Sequence, residues 1–279
     1  MKKLAMLVSG FLLTACLFAA DEYQKRAEQC PELLTEHADL SVRKLIKVPS
    51  ISGLKTRRCD LHVHTNCSDG KVSANFRMLE AWHDGLDVEA LTDHSENGYK
   101  KKASLDDVYE AAGKLAEEKG LTFIKGVEIT GKQMPPGHFN VLFVKNAESV
   151  RGEAGDWKKR LEAAVKDGGV VIWNHPGWDA QQKTLKIWPE HKQLIKERKI
   201  HAVEVFNESE WYPGALDWCA EFGLAPFACT DIHDEIAVKY KPDAIRPMTL
   251  IFAKDNSRES LKEAILAGNT LGFFDGKLA

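Results

Sequence analysis

Beyond residue 54 the chain alternates between short β-rich apolar runs and longer stretches in which apolar residues recur at helical spacing. The runs fall at residues 61–64, 88–91, 122–127, 141–144, 170–173, 203–206, 226–229 and 249–252, and the helical stretches at 74–83, 105–119, 157–166, 215–222 and 260–266. Gly85, Gly120, Gly168, Gly223 and Gly268 follow helical stretches, where a left-handed residue ends a helix. Strand, helix, glycine and strand repeated in this order predict an α/β chain with a parallel sheet and crossover helices. The number of units fits a closed barrel better than an open two-domain sheet, so residues 55–279 read as one barrel domain. Residues 16–54 are polar with spaced Leu33, Leu34, Leu40, Leu45 and Ile46, and read as a tether with one or two helices. Pro49-Ser50-Ile51-Ser52-Gly53 punctuates its end.

The first residues have a rhythm of their own. Lys2 and Lys3 precede a short apolar stretch over 4–13, broken by Ser9 and Gly10, which is the layout of a bacterial export signal and too short to span a bilayer. Leu13-Thr14-Ala15-Cys16 then has the form of a lipobox, whereas cleavage near Ala20 would place Phe18 where a small side chain is needed. The expectation is an exported lipoprotein that loses residues 1–15 and is held on a membrane surface by lipid on Cys16, with plain secretion as the alternative. Cys30, Cys59, Cys67, Cys219 and Cys229 then remain, an odd number with no CxxC spacing. Buried free thiols are expected, a Cys59–Cys229 disulfide being the alternative in an oxidising compartment.

Composition narrows the function. The chain has 279 residues, 44% of them hydrophobic and 28% charged, which is enough for a full core and excludes a disulfide mini-protein or wholesale disorder. Its 38 Lys+Arg against 41 Asp+Glu give a formal charge of −3, without the basic excess that long nucleic acids require. The 10 histidines carry more information through their positions than through their number.

In a parallel barrel the functional residues lie at the C-terminal ends of the strands. Alternation in Asp60-Leu61-His62-Val63-His64 puts both imidazoles on one face, able to reach one ion. Asp69 follows on a turn, and later strand ends supply Asp93, His94, Glu128, His175, Asp231 and His233, with His138 across a Pro-Pro-Gly loop. One such histidine is more often a hydrogen-bonded structural residue than a ligand. Six histidines and three carboxylates together are not explained by packing, because buried imidazoles and carboxylates are costly unless paired or metallated. His37, His83, His191 and His201 lie in helical or interstrand stretches and read as structural.

This ordered set resembles the polymerase and histidinol phosphatase (PHP) domain family of metal-dependent phosphoesterases, over residues 57–276. The motifs are His62-Val63-His64-Thr65 with Ser68-Asp69-Gly70, Thr92-Asp93-His94, Gly126-Val127-Glu128-Ile129, His138, Asn174-His175-Pro176 and Thr230-Asp231-Ile232-His233. The resemblance implies a distorted (β/α)7 TIM-like barrel of the small stand-alone phosphatase branch. It implies one ion on His62, His64, Glu128 and Asp231, a second on His138 and His175 bridged by Glu128, and a third on Asp69, His94 and His233. Ile232 departs from the small residue common there, and the aromatic-rich insert around 178–211 has no family role.

The mixed nitrogen and oxygen donors independently suit zinc, manganese or iron better than calcium or magnesium alone. Two adjacent cations lower the pKa of a water between them and neutralise phosphate oxygens, so no serine or cysteine nucleophile is required. Asp93 reads as a residue that orients an imidazole, or else as a helix cap. Arg246 reads as a phosphate clamp, or else as a surface ion pair. Trp173, Trp178, Trp188 and Trp211 offer a stacking wall if they do not simply pack. The expected function is hydrolysis of a small phosphorylated metabolite, a nucleotide, sugar or polyol phosphate, with two or three divalent ions as cofactors. The alternatives are an amidohydrolase-type enzyme, which lacks the paired TDH and DxH elements, and a metal- or carbohydrate-binding lipoprotein without turnover.

Overall fold

The computed structural model describes residues 40–99, 101, 103–131, 134–241 and 243–279. The export signal with Cys16, together with Cys30 and His37, lies outside the described residues. Among the described residues eleven strands form one curled sheet: β1 (Lys55–Asp60), β2 (Val88–Leu91), β3 (Thr122–Thr130), β4 (His138–Leu142), β5 (Val170–Trp173), β6 (Ala202–Asn207), β7 (Glu210–Trp211), β8 (Ala225–Cys229), β9 (Met248–Ala253), β10 (Thr270–Phe274) and β11 (Lys277–Leu278). The hydrogen-bonded order is β11-β10-β9-β1-β2-β3-β4-β5-β6-β7, with β8 also on β6. The curl is drawn round by side chains at β8. Thr249 Oγ1 accepts from Ala228 N at 3.1 Å and donates to Ala228 O at 3.0 Å, while Thr270 Oγ1 donates to Pro226 O. This curled sheet is consistent with the distorted TIM-like barrel that the family resemblance implies.

The helices are α1 (Ala74–His83), α2 (Leu105–Glu118), α3 (Trp157–Lys166), α4 (Pro189–Lys196), α5 (Pro213–Phe222), α6 (Ile236–Lys239) and α7 (Arg258–Leu266). Ser73, Ser104 and Ser257 cap α1, α2 and α7 by accepting from first-turn amides, and Gly223 ends α5 at φ +70°. α4 falls inside the aromatic-rich insert, with Pro189 pre-set for its first turn.

The sheet is mixed rather than wholly parallel. β4 runs antiparallel to β3 and β5, and β9 runs antiparallel to β1 and β10. The connection over residues 131–137 is too short for a crossover, so the chain returns as a hairpin. That reversal moves the fourth strand to 138–142 and puts its first residue, His138, at the end of the sheet where the parallel strands finish. β1 likewise precedes the predicted run at 61–64, leaving His62 and His64 just past the strand end.

Apolar residues on the inner strand faces form a cluster with Leu61, Val88, Ala90, Ile124, Leu142, Val170, Ile172, Ala202 and Phe227, closed by Leu261, Ala264 and Ile265 of α7. A larger cluster packs the outer faces against the helices. Residues on the same face as the inner apolar ones continue as Glu128, Asn140, His138, Asn174 and Glu204. Cys59, Cys67, Cys219 and Cys229 are buried free thiols, so Cys59 and Cys229 form no disulfide. No helix among the described residues is long and apolar enough to cross a membrane.

Residues 43–50 are an extended strap with no helix, and charge fastens them to the barrel. Arg43 donates to Trp82 O and Leu86 O, Lys44 pairs with Asp84 at 2.9 Å, and Ile46 and Val48 pack on the core. Beneath the strap Arg246 is buried, its guanidinium 2.7 Å from Asp60, 3.1 Å from Glu89 and 3.4 Å from Asp84. Arg246 therefore stands in a buried ion-pair network rather than in the position of a phosphate clamp: its Nη1 and Nη2 face three carboxylates, two of them wholly buried. Replacing it with alanine leaves these charges unpaired, and Arg246→Ala should cost about 3–5 kcal/mol in urea denaturation. Normal unfolding stability in this variant would contradict the assignment.

Candidate metal centre

Six histidines and three carboxylates meet where the strands end. His62 Nε2 and His64 Nε2 lie 3.2 Å apart, and Asp231 Oδ1 is 3.1 and 3.2 Å from them. Glu128 Oε2 stands 3.8 and 3.4 Å from the same two nitrogens and 3.0 Å from His94 Nδ1. The other Glu128 oxygen, Oε1, is 3.0 Å from His138 Nδ1 and 3.7 Å from His175 Nε2. Asp69 sits 3.3 Å from His94 Nε2 and 3.4 Å from His233 Nε2. Among the described residues three groups thus have ligand atoms close enough to hold an ion each: His62, His64 and Glu128; Glu128, His138 and His175; His64, Asp69, His94 and His233. Every residue expected as a ligand is in or beside this cluster, and His64 faces two of the groups.

The donor set fits divalent cations on geometric grounds. Asp231 Oδ1 is buried and accepts no well-aligned hydrogen bond although two imidazole nitrogens lie within 3.2 Å. Lone pairs that converge without bonding one another point at a common third atom. The backbone is strained at the same place: His175, Glu208 and Asp231 have φ of +26°, +56° and +51°. Gly70 completes the Ser68-Asp69-Gly70 turn, where a Cβ would meet the His64 backbone at 2.7 Å.

The electrostatics agree. Burial disfavours charge on Glu128, yet His94 and His138 hold it well below the usual carboxylate range. Asp231 is likewise lowered by His62 and His64 against burial, and Asp69 by His233 and His94. Burial disfavours protonated His62 and His94, but Asp231 and Glu204 raise the first and Glu128 and Asp69 the second well above the ordinary imidazole value. His64 is pulled down to about 4, by burial and by His94 and His233. A field that holds protons on buried imidazoles also favours a divalent cation.

The surrounding residues hold the ligands in place. Among the described residues Asp93 hydrogen-bonds to no imidazole and caps no helix. It accepts from Thr65 N at 2.8 Å, Thr65 Oγ1 at 2.7 Å, Ser68 Oγ at 2.6 Å and Tyr109 Oη at 2.8 Å, which fixes the loop carrying His64 and Asp69. Sequence reasoning overlooked Glu204, Asn207, Thr130 and the amide of Asn174. Asn174 Nδ2 donates to Glu128 Oε1 at 2.9 Å, and Thr130 Oγ1 lies 2.7 Å from His94 Nδ1. Glu204, an acid inside the apolar run Ala202-Val203-Glu204-Val205-Phe206, carried a readable signal: a buried strand charge needs a partner.

A cleft of about 290 Å³ opens over the cluster, lined by Tyr99, Trp178, Asn207, Glu208 and Glu210 besides the ligands. Of the four tryptophans, Trp178 reaches it, its ring 5.2 Å from that of His175 and 40% of the residue exposed. Trp173 is stacked between His191 and Trp218 in the core, Trp188 bonds Gln182, and Trp211 packs on Phe274.

Residues 60–156 match the family model of the PHP domain. A solved two-domain protein from Bacteroides vulgatus, described as containing a predicted PHP-like metal-dependent phosphoesterase, is 37% identical; the match covers 85% of this chain and 70% of that one, with a TM-score of 0.80. A protein from Bifidobacterium adolescentis, described as a metal-dependent phosphoesterase, shares the fold at 16% identity and a TM-score of 0.52, over 75% of this chain and 96% of that one. Among curated proteins, none matches.

Mn²⁺ or Zn²⁺ should raise the melting temperature relative to protein in EDTA, by the equivalent of about 2.7 kcal/mol at a free-ion concentration a hundred times Kd. Glu128→Ala removes oxygens shared by two of the groups and should lose most of that gain. His62, His94, His175 and His233 have raised pKa values and keep their protons to higher pH, so an ion must displace them. The gain should therefore shrink as pH falls through those raised values and grow as pH rises. Calorimetric melting between about pH 5 and pH 8 checks the sign.

Proposed function

The chain belongs to the PHP domain family of metal-dependent phosphoesterases, and from that premise we propose that it is a phosphomonoesterase for a small phosphorylated metabolite, a nucleotide, sugar or polyol phosphate. The observation that carries the reading is one carboxylate, Glu128, shared between ligand groups on the floor of a cleft of about 290 Å³. That volume suits a small molecule better than a polymer. Bound divalent ions would supply Lewis-acid charge for the phosphoryl oxygens and an activated water for attack at phosphorus.

The chain's own residues set the geometry. His62, His64, Glu128 and Asp231 would hold the first ion, Glu128, His138 and His175 the second, and Asp69, His94 and His233 the third. The first set is nearly closed to solvent, whereas Asp69 and His233 have side chains 37% and 36% exposed. A phosphoryl group entering from the cleft therefore meets the outer group first. Trp178 stands beside His175 and His138, where it walls one side of the leaving group's space. The formal charge of −3 supports a small substrate over a long polyanion.

Purified protein with Mn²⁺ or Zn²⁺ should hydrolyse p-nitrophenyl phosphate, and a panel of nucleotide, sugar and polyol phosphates should identify the metabolite. Turnover should fall at least about 100-fold in a His62→Ala, His64→Ala double variant, a larger loss than removing a ligand's supporting partner. No turnover of any phosphoester by metal-loaded protein would overturn the reading, and a preference for bis(p-nitrophenyl) phosphate would overturn its monoester part.

The activity is placed outside the cytoplasm, on a membrane surface, by lipid on Cys16, a reading supported by the Leu13-Thr14-Ala15-Cys16 sequence. Expressed in a bacterium, the full chain should incorporate a labelled fatty acid and partition with membranes. Cys16→Ser should do neither; labelling that survives in this variant would exclude the anchor.

A further inference from the structure

β6 does not keep the alternation of an ordinary strand. Its register against β8 pairs Glu204 with Phe227 and then Phe206 with Ala228, so one extra residue is accommodated between them. Regular alternation would send residues 204 and 207 to opposite faces. The bulge turns both inward, and they meet: Asn207 Nδ2 donates to Glu204 Oε2 at 2.8 Å.

Glu204 is wholly buried, and among the described residues its ion-pair partner is not lysine or arginine but His62. Its two oxygens take three N–H donors. Oε1 is 2.8 Å from His62 Nδ1, while Oε2 accepts from the His175 backbone N at 2.7 Å and from Asn207. Asn207 Nδ2 also reaches Asp231 Oδ2 at 3.3 Å. One carboxylate and one amide therefore tie together His62, Asp231 and the backbone of His175, which belong to two different ligand groups.

A carboxylate bonded to Nδ1 places the proton there and leaves the Nε2 lone pair free. Nε2 is the atom of His62 that faces His64, Asp231 and Glu128. We propose that Glu204 is a positioning residue, which with Asn207 holds His62 as the Nδ1–H tautomer and sets the spacing between the first and second ion sites. The proposal rests on the reading of the cluster as a metal centre. Glutamine at 204 would keep the volume but offer one acceptor oxygen and an NH₂ group to three inward-pointing donors, so it is the informative substitution.

Calorimetry of Mn²⁺ binding should give about 10- to 100-fold weaker affinity for Glu204→Gln than for wild type. Melting in EDTA and circular dichroism should show both proteins folded. In the Zn²⁺-loaded wild type, ¹⁵N NMR of the imidazoles should show His62 protonated at Nδ1 with the metal on Nε2, a pattern that a merely structural role does not require. Affinity of Glu204→Gln within about threefold of wild type overturns the proposal alone, as does a His62 proton on Nε2, a result that needs no variant to fold. Wild-type protein that binds no Mn²⁺ overturns the functional reading and this proposal with it.

Discussion

Glu128 is the point on which the site turns. Its carboxylate is 1% exposed and has five imidazoles, those of His62, His64, His94, His138 and His175, within 3.8 Å. A charge removed from water to this extent is stable only when positive charge meets it, and imidazoles that also coordinate must leave that charge to something else. The rest of the barrel follows from supplying this meeting. Strand faces that are apolar at Ile124, Leu142, Ile172 and Ala202 turn into ligands or their supports two to four residues further along, so the packed interior becomes the floor of the cleft. Five of the six imidazoles come from strand ends or adjoining residues, and only the reversed β4 brings the sixth, His138, to the same height.

The elements that sequence patterning located correctly are those whose periodicity is undisturbed. Val88–Leu91 and Val170–Trp173 are buried on both faces and bounded by turns, and Ala74–His83 begins at a serine cap. β1 was displaced because it opens as Lys-Thr-Arg-Arg, of which Arg58 is spent locally, forked onto Asp87 through bonds of 2.9 and 2.6 Å. Strand direction was the larger error. Alternating strands and helices imply parallel pairing, and what defeats the rule is loop length between β3 and β4, a property of spacing rather than of composition. β10 and β11 follow a helix near the chain end, where Gly272 and Gly276 thin the apolar signal.

The ligands were legible because their residue types are rare in apolar strand ends and their order is specific. Their supports were not, since serine, threonine and asparagine occur throughout loops and acquire meaning only from a partner distant in sequence. Asp93 illustrates the boundary: the sequence marks it as important, yet its bonds to Thr65, Ser68 and Tyr109 make it the anchor of a loop rather than the partner of a histidine. Asn207 was missed for a different reason. A bulge in β6 decides where it points, and a bulge leaves almost no trace in hydrophobic alternation.

Two buried carboxylate networks meet at the end of β1, and their contrast separates structure from chemistry. Asp60 and His62 are two residues apart. Asp60 joins Asp84, Glu89 and Arg246, where the chain supplies permanent cations, Arg246 and, through Asp84, Lys44. His62 joins Glu128, Glu204 and Asp231, where the chain supplies imidazoles, whose charge depends on a proton that can be exchanged for a metal. Arginine cannot give up its charge to an incoming ion, so it would close the second network and abolish its use. The division of cation types along one short segment therefore keeps one network as a fixed brace and leaves the other open to divalent ions.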